Sequence, residues 1–258
     1  MHAVRKEETL MARFVVISGP SCVGKSPLHK ALARFHPDVA GRLLRLCLYN
    51  SRPPRPGETD GEDYHFRPRE QVEEFRGQDG YLVMDVRGDL QALDLAELEE
   101  TLEAGDALFE GNPYVAEALL EGPLPEGVER LSVFLSPLSM EELEYLAAPD
   151  RNVPLADLVT DVMRRKLLHR TRKQKGALSL PDLEEIERRA GSAYAELRRA
   201  CRFDYVIPNP DGEDSDNWDA FYYPLGAARR AMLAVADLLD GREPPIAEHW
   251  PADLLPDL

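Results

Sequence analysis

Apolar residues fall in short blocks separated by charged or proline-rich spans, and the period changes from block to block. Residues 13–18 hold the unbroken run Phe14-Val15-Val16-Ile17, which suits a strand buried on both faces. Residues 26–36 read as a helix that ends before Pro37, because proline pushes its predecessor out of helical geometry. Gly41 to Tyr49 reads as a strand running towards a loop, Arg69 to Arg76 as a short helix, and Tyr81 to Arg87 as a strand. Asp94 is placed to cap a helix with Leu95, Leu98 and Leu102 on one face, stopped at Gly105. Ala107–Phe109, Leu131–Leu135 and Phe203–Ile207 read as further strands. Residues 138–175 are the least regular, with two acidic helical stretches and then a basic one from Arg164 to Lys175. A long helix is expected from Pro181 to Ala200, with Leu183, Ile186 and Leu197 facing the core. Strands alternating with helices predict an α/β fold with a doubly wound parallel sheet.

The segment between the first strand and the first helix is Gly19-Pro20-Ser21-Cys22-Val23-Gly24-Lys25-Ser26. Strand, glycine loop and Lys-Ser at a helix start form a phosphate-binding loop. Its glycines let successive N–H groups turn inward on an anion, and the helix N-terminus adds unpaired donors. Lys25 is expected to reach β- and γ-phosphates, and the Ser26 hydroxyl to ligate Mg²⁺. Pro27 follows; a proline in the first turn leaves the helix intact but offers no N–H to a phosphate. Cys22 is either an oxidation-sensitive thiol near a positive field or a small side chain in a tight loop.

Composition narrows the class. The 258 residues suffice for one large α/β domain with inserts or for two small domains. Lys and Arg number 31 against 47 Asp and Glu, a formal charge of −16, which disfavours nucleic acid and anionic membranes as partners. Any phosphate site must then be a local island of cations. Three irregularly spaced cysteines fit a reducing compartment and argue against a disulfide framework or zinc cluster. The six histidines form no metal-ligand pair. With no membrane-length apolar run and no signal-peptide core, a cytoplasmic protein is expected.

A second informative stretch is the loop from Ser51 to Phe66, SRPPRPGETDGEDYHF. Arg52, Arg55 and Tyr64 can grip a phosphate monoester, or the two arginines can pair with the loop's own acids. GPSxxGKS, followed about thirty residues later by SRxxRxGExxGxDYxF, resembles the guanylate kinase family. FLSPLSMEELE at 134–144 and FDYVIPN at 203–209 resemble later segments of that family. The resemblance implies a P-loop NTPase fold with a monophosphate-binding arm and a helical lid, ATP and Mg²⁺ as cofactors, and Arg52, Arg55 and Tyr64 on the phosphate of GMP. The implied layout is an N-terminal extension (1–12), core (13–44), arm (45–95), core (96–137), insert and lid (138–180), core (181–240) and an acidic tail (241–258) without chemistry of its own.

The same resemblance assigns catalytic roles to Lys25, Arg170 and Arg189, the last two as lid arginines, with Lys166 on the same helix face as Arg170. Glu110, at the end of a short strand and on the acceptor side, is either the second acid near Mg²⁺, acting through water, or a cap for the segment after Asn112, and Asn209 is expected near adenine. The family's base-reading positions differ here: Leu48 stands where a serine reads guanine, the glutamate position falls among Leu82, Val83 and Met84 with Asp85 one step away, and Gln91-Ala92-Leu93 replaces Tyr-Gly-Ser/Thr. Phosphoryl transfer from ATP to GMP or dGMP is the leading expectation. A kinase for another phosphorylated acceptor and a non-catalytic binding module stay open, as does a homodimer.

Overall fold

The computed structural model describes residues 12–55 and 57–256. Of the expected N-terminal extension, all but Ala12 lies outside these residues. In chain order the elements are β1 (Arg13–Ser18), α1 (Lys25–Phe35), α2 (Pro37–Ala40), β2 (Leu43–Arg45), β3 (Tyr49–Asn50), β4 (His65–Phe66), α3 (Arg69–Glu73), β5 (Tyr81–Val86) and β6 (Asp89–Asp94). They continue with α4 (Leu95–Ala104), β7 (Asp106–Gly111), α5 (Pro113–Glu121), β8 (Glu129–Ser136), α6 (Met140–Ala147), α7 (Leu155–Lys175), α8 (Leu180–Gly191), α9 (Ala193–Leu197), β9 (Tyr205–Pro208) and α10 (Gly226–Leu239).

The main sheet is parallel, in the order β2-β7-β1-β8-β9. The alternation of β1 explains why its apolar run is unbroken. Phe14 and Val16 join one buried cluster with Phe109 and Phe134, whereas Val15 and Ile17 join the other with Leu28, Leu32 and Val235. Helices cover both faces, so each strand residue meets protein whichever way it points. Helix α10 supplies much of the second cluster through Met232, Val235 and Leu239.

A second, mixed sheet, β4-β3-β6-β5, forms the arm. Here the structure corrects the sequence reading twice. The single strand expected over Gly41–Tyr49 is divided between the two sheets as β2 and β3, and Asp89–Asp94 is a strand that pairs antiparallel with both β3 and β5. Asp94 does cap α4, accepting from Ala96 N at 3.0 Å.

Residues 155–175 form one helix of 21 residues rather than separate acidic and basic stretches, with Leu155, Val159, Met163 and Leu167 buried along one stripe. The long helix expected from Pro181 to Ala200 breaks between α8 and α9 near Gly191, and Leu183 is 40% exposed while Ile186 and Leu197 are buried. The tail packs: Trp250 and Leu255 are buried, and Val206 on β9 exchanges backbone hydrogen bonds with Glu248. Among the described residues, no helix is long and apolar enough to cross a membrane.

Candidate active site

The loop after β1 lies at the carboxyl end of the main sheet. Parallel pairing sets Ile17 opposite Glu110 and Ser18 opposite Gly111, so the register delivers Glu110 to the loop. Gly19 and Gly24 have φ of 142° and 101°. A Cβ on Gly19 would lie 2.4 Å from Leu135 O, and one on Gly24 would lie 2.6 Å from Asn209 Nδ2. Conformation and close approach therefore both require glycine there. Lys25, half-buried at the start of α1, folds back to donate to Gly19 O and Pro20 O, each at 2.8 Å. Its ammonium thus sits inside the curl of the loop, and burial lowers its pKa, partly opposed by the charges of Glu213 and Glu110. Ser26 is exposed, and its Oγ lies 3.4 Å from Glu110 Oε1. A hydroxyl and a carboxylate facing the cavity are hard oxygen donors suited to Mg²⁺, which keeps most of its shell as water. Among the described residues no larger cluster of His, Cys, Asp or Glu could hold a metal.

A cavity of about 690 Å³ opens between this loop, the arm and helices α7 and α8. Gly19, Ser21, Cys22, Lys25, Ser26, Arg52, Arg55, Tyr64, Glu110, Arg170 and Arg189 all line it. The fold thus brings together residues that span more than 160 positions of sequence. Arg52 grips Glu58 through two bonds of 2.6 and 2.7 Å and lies over the Tyr64 ring at 5.2 Å. Arg55 reaches Glu185 at 3.1 Å, which ties the arm to α8. Arg170 pairs with Glu213 at 2.7 Å, and Arg189 Nε with Glu185 at 3.2 Å. Burial lowers the pKa of Arg189, and the charges of Arg55 and Arg170 add to the effect. Three guanidiniums therefore converge where their mutual repulsion is poorly screened, an arrangement that a bound polyanion relieves.

Asn209 and Lys166 depart from expectation, Cys22 is decided between its two readings, and Asp85 agrees with the expected loss of the family's base-reading glutamate. Asn209 has no solvent exposure and donates to Val23 O and Asp211 O at 2.8 and 2.9 Å; it braces the back of the phosphate loop and does not face a base. Cys22 is 1% exposed, and burial, then the charge of Glu213, pushes its thiol up to about 12, so the oxidation-sensitive reading gives way to a packed side chain. Lys166 lies on the Arg170 face of α7 but docks on Pro210 O and Asp214 outside the cavity. Asp85, the nearest carboxylate to the guanine-reading position, is exposed and pairs with Arg76 at 3.2 Å. The cavity instead receives Val86 from β5, with Asp89 and Gln91 from β6.

Sequence reasoning passed over Arg87, Glu185, Glu196 and Glu213. Glu185 had a signal, its spacing of four from Arg189 on one helix face. The others are joined to their partners only by long-range folding.

Comparison with known proteins agrees with this architecture. A family profile described as "Guanylate kinase" matches residues 11–107. The guanylate kinase of Gluconobacter oxydans (strain 621H) is 33% identical over 230 residues, covering 88% of this chain and 92% of the relative. The guanylate kinase of Corynebacterium jeikeium (strain K411) is 33% identical over 205 residues, covering 77% and 89%. The crystal structure of guanylate kinase from Anaplasma phagocytophilum superposes with a TM-score of 0.53 at 18% identity, covering 90% of this chain and 86% of that one, a likeness of fold. With a third of positions identical over nearly its whole length, this chain belongs to the guanylate kinase family.

Proposed function

We propose that the protein transfers the γ-phosphoryl group of ATP to the phosphate of GMP. The observation that carries this reading is that the Lys25 loop and the Arg52–Arg55–Tyr64 group open onto one cavity. A donor polyphosphate in the first and a monophosphate in the second would face each other. The loop's main-chain N–H groups and the Lys25 ammonium would hold the β- and γ-phosphates. Ser26 and Glu110 would hold Mg²⁺, the latter through water, and the ion when bound supplies charge neutralisation at the phosphates. Arg52 would fork onto two acceptor-phosphate oxygens, aided by Arg55 and the Tyr64 hydroxyl. Arg170 and Arg189, brought in by α7 and α8, would face charge that develops on the transferring group. Closure of α7 and α8 over the cavity would exclude water and limit ATP hydrolysis. No covalent enzyme intermediate is needed; positioning and electrostatics suffice.

One observation favours a second reading, a kinase of the same build with another phosphorylated acceptor. With Asp85 turned outward, β5 offers no carboxylate to a guanine edge and the cavity's carboxylate from this hairpin is Asp89 on β6; a site whose polar groups are rearranged selects a different base or acceptor. The test is to incubate the protein with Mg·ATP and a panel of nucleoside and sugar monophosphates and to follow ADP. Turnover with GMP and dGMP alone supports the first reading, and turnover confined to another acceptor supports the second. ATP binding without turnover on any acceptor would leave a binding protein.

A further inference from the structure

β5 and β6 are joined by Arg87 and Gly88, between the paired Val86 and Asp89. Both have positive φ, 52° and 90°, as a two-residue hairpin of this twist demands. Glycine accepts that conformation freely, whereas an L-arginine is strained in it. Its side chain is held. Arg87 Nη2 is ion-paired with Glu196 Oε1, a carboxylate with no solvent exposure. The same oxygen accepts from Asn112 Nδ2 at 3.1 Å and from Ser192 Oγ at 2.9 Å. Arg87 Nη1 extends to Ser21 Oγ in the phosphate loop, 3.4 Å away, and the side chain lines the cavity. Burial is the first cause that lowers the pKa of Lys25 and of Arg189, and in both cases the charge of Arg87 adds to it. Arg87 is thus near enough to repel a cation on each of two other elements, Lys25 on α1 and Arg189 on α8.

We propose that Arg87 is a phosphate-binding residue delivered by the arm, closing on the polyphosphate beside Lys25, and that buried Glu196 is the positioning residue that aims it. The arm then carries ligands for both substrates: Arg52 and Arg55 for the acceptor, Arg87 for the donor. Its position is set by Arg87 and Glu196 on one side and by Arg188, which donates to Arg87 O at 3.0 Å, on the other. A guanidinium fixed by a carboxylate on one edge presents its other edge with little orientational loss. The catalytic consequence rests on the kinase reading; the binding consequence does not.

The experiment is calorimetric titration of the full chain with inorganic tripolyphosphate, with thermal melts alongside. Arg87→Gln should weaken binding about tenfold, the effect of losing one charge-assisted contact. Arg87→Lys should recover part of it, because an ammonium keeps the charge but not the fork. Glu196→Gln should weaken binding with Arg87 still present. In turnover, Arg87→Gln should lower kcat more than it raises the acceptor KM. Unchanged affinity in a folded Arg87→Gln overturns the assignment. Should that variant fail to fold, arginine modification by phenylglyoxal in the unsubstituted chain decides: tripolyphosphate must protect Arg87, and equal labelling with and without it overturns the assignment. A parent chain that binds tripolyphosphate through Arg87 yet phosphorylates no acceptor removes the kinase reading and leaves the Arg87 site standing.

Discussion

The guanidinium of Arg52 and the carboxylate of Glu58 meet fork to fork, Nη1 to Oε2 at 2.6 Å and Nη2 to Oε1 at 2.7 Å. Glu58 Oε2 also accepts from Arg55 N at 2.7 Å. One carboxylate therefore holds the Arg52 side chain and the Arg55 backbone, the two residues proposed to grip the acceptor. Glu58→Gln should raise the acceptor KM about tenfold, the equivalent of about 1.4 kcal/mol, with the KM for ATP little changed. Arg52→Ala should raise acceptor KM further and lower kcat as well. Steady-state kinetics with each substrate varied separately checks both; equal effects on the two KM values would place Glu58 in general stability instead.

A lysine that serves only a bound phosphate would face solvent in the free protein, and its removal would spare the fold. Lys25 is half-buried and donates to two loop carbonyls. Lys25→Met should cut turnover by about 10²–10³-fold, the range for loss of one oriented charge at a transition state. Its effect on stability should stay near 1 kcal/mol, because lost hydrogen bonds are offset by relief of a desolvated charge. Initial rates and a denaturant melt on the same preparation separate the two.

Acid should loosen the ligand-free protein through this site. Burial pushes the carboxyls of Glu58 and Glu213 up, but Arg52 for the first, and Arg170 with Lys25 for the second, outweigh it and hold both below the ordinary 4.5. A group lowered by folding contributes stability that is complete above its unfolded value and lost as pH falls through its folded value. Stability should therefore hold near neutrality and decline from about pH 4.5 downward. Urea melts from about pH 6 to about pH 3 should show a shallower acid limb in Glu213→Gln; an identical limb would exclude Glu213 from the effect.

Cys22 should be inert in the native protein. With its thiol pushed up to about 12, the thiolate fraction at about pH 8 is on the order of 10⁻⁴. Alkylation followed by mass spectrometry should leave Cys22 unlabelled until denaturant is added. Rapid native labelling would show that the phosphate loop opens.

What was legible in the sequence was mostly local. Gly19, Gly24, Lys25 and Ser26 act through adjacent backbone, and their spacing alone implied the loop found here. Arg52, Arg55 and Tyr64 share one loop and reach one cavity. Glu196 gave no local sign: it lies on a broken helix and meets Arg87 across 109 positions. Asn209 shows the opposite failure, a residue that the family resemblance put near adenine but whose burial assigns it to the scaffold. Strand β6 was passed over because Leu90, Ala92 and Leu93 are buried together, which breaks the alternation that a half-exposed strand would display.

The bridge between Val206 and Glu248 also has a consequence for colloidal behaviour. β9 is the outermost strand on its side of the main sheet, and an outermost strand with unmet amides recruits strands from other molecules. The segment around Glu248 takes up the outward N–H and C=O of Val206 and pins itself by Trp250, whose Nε1 donates to Glu248 at 2.7 Å. Clipping the chain between Gly241 and Glu248 would uncover a ready template, so that the shortened protein should precipitate under conditions in which the intact one stays dispersed.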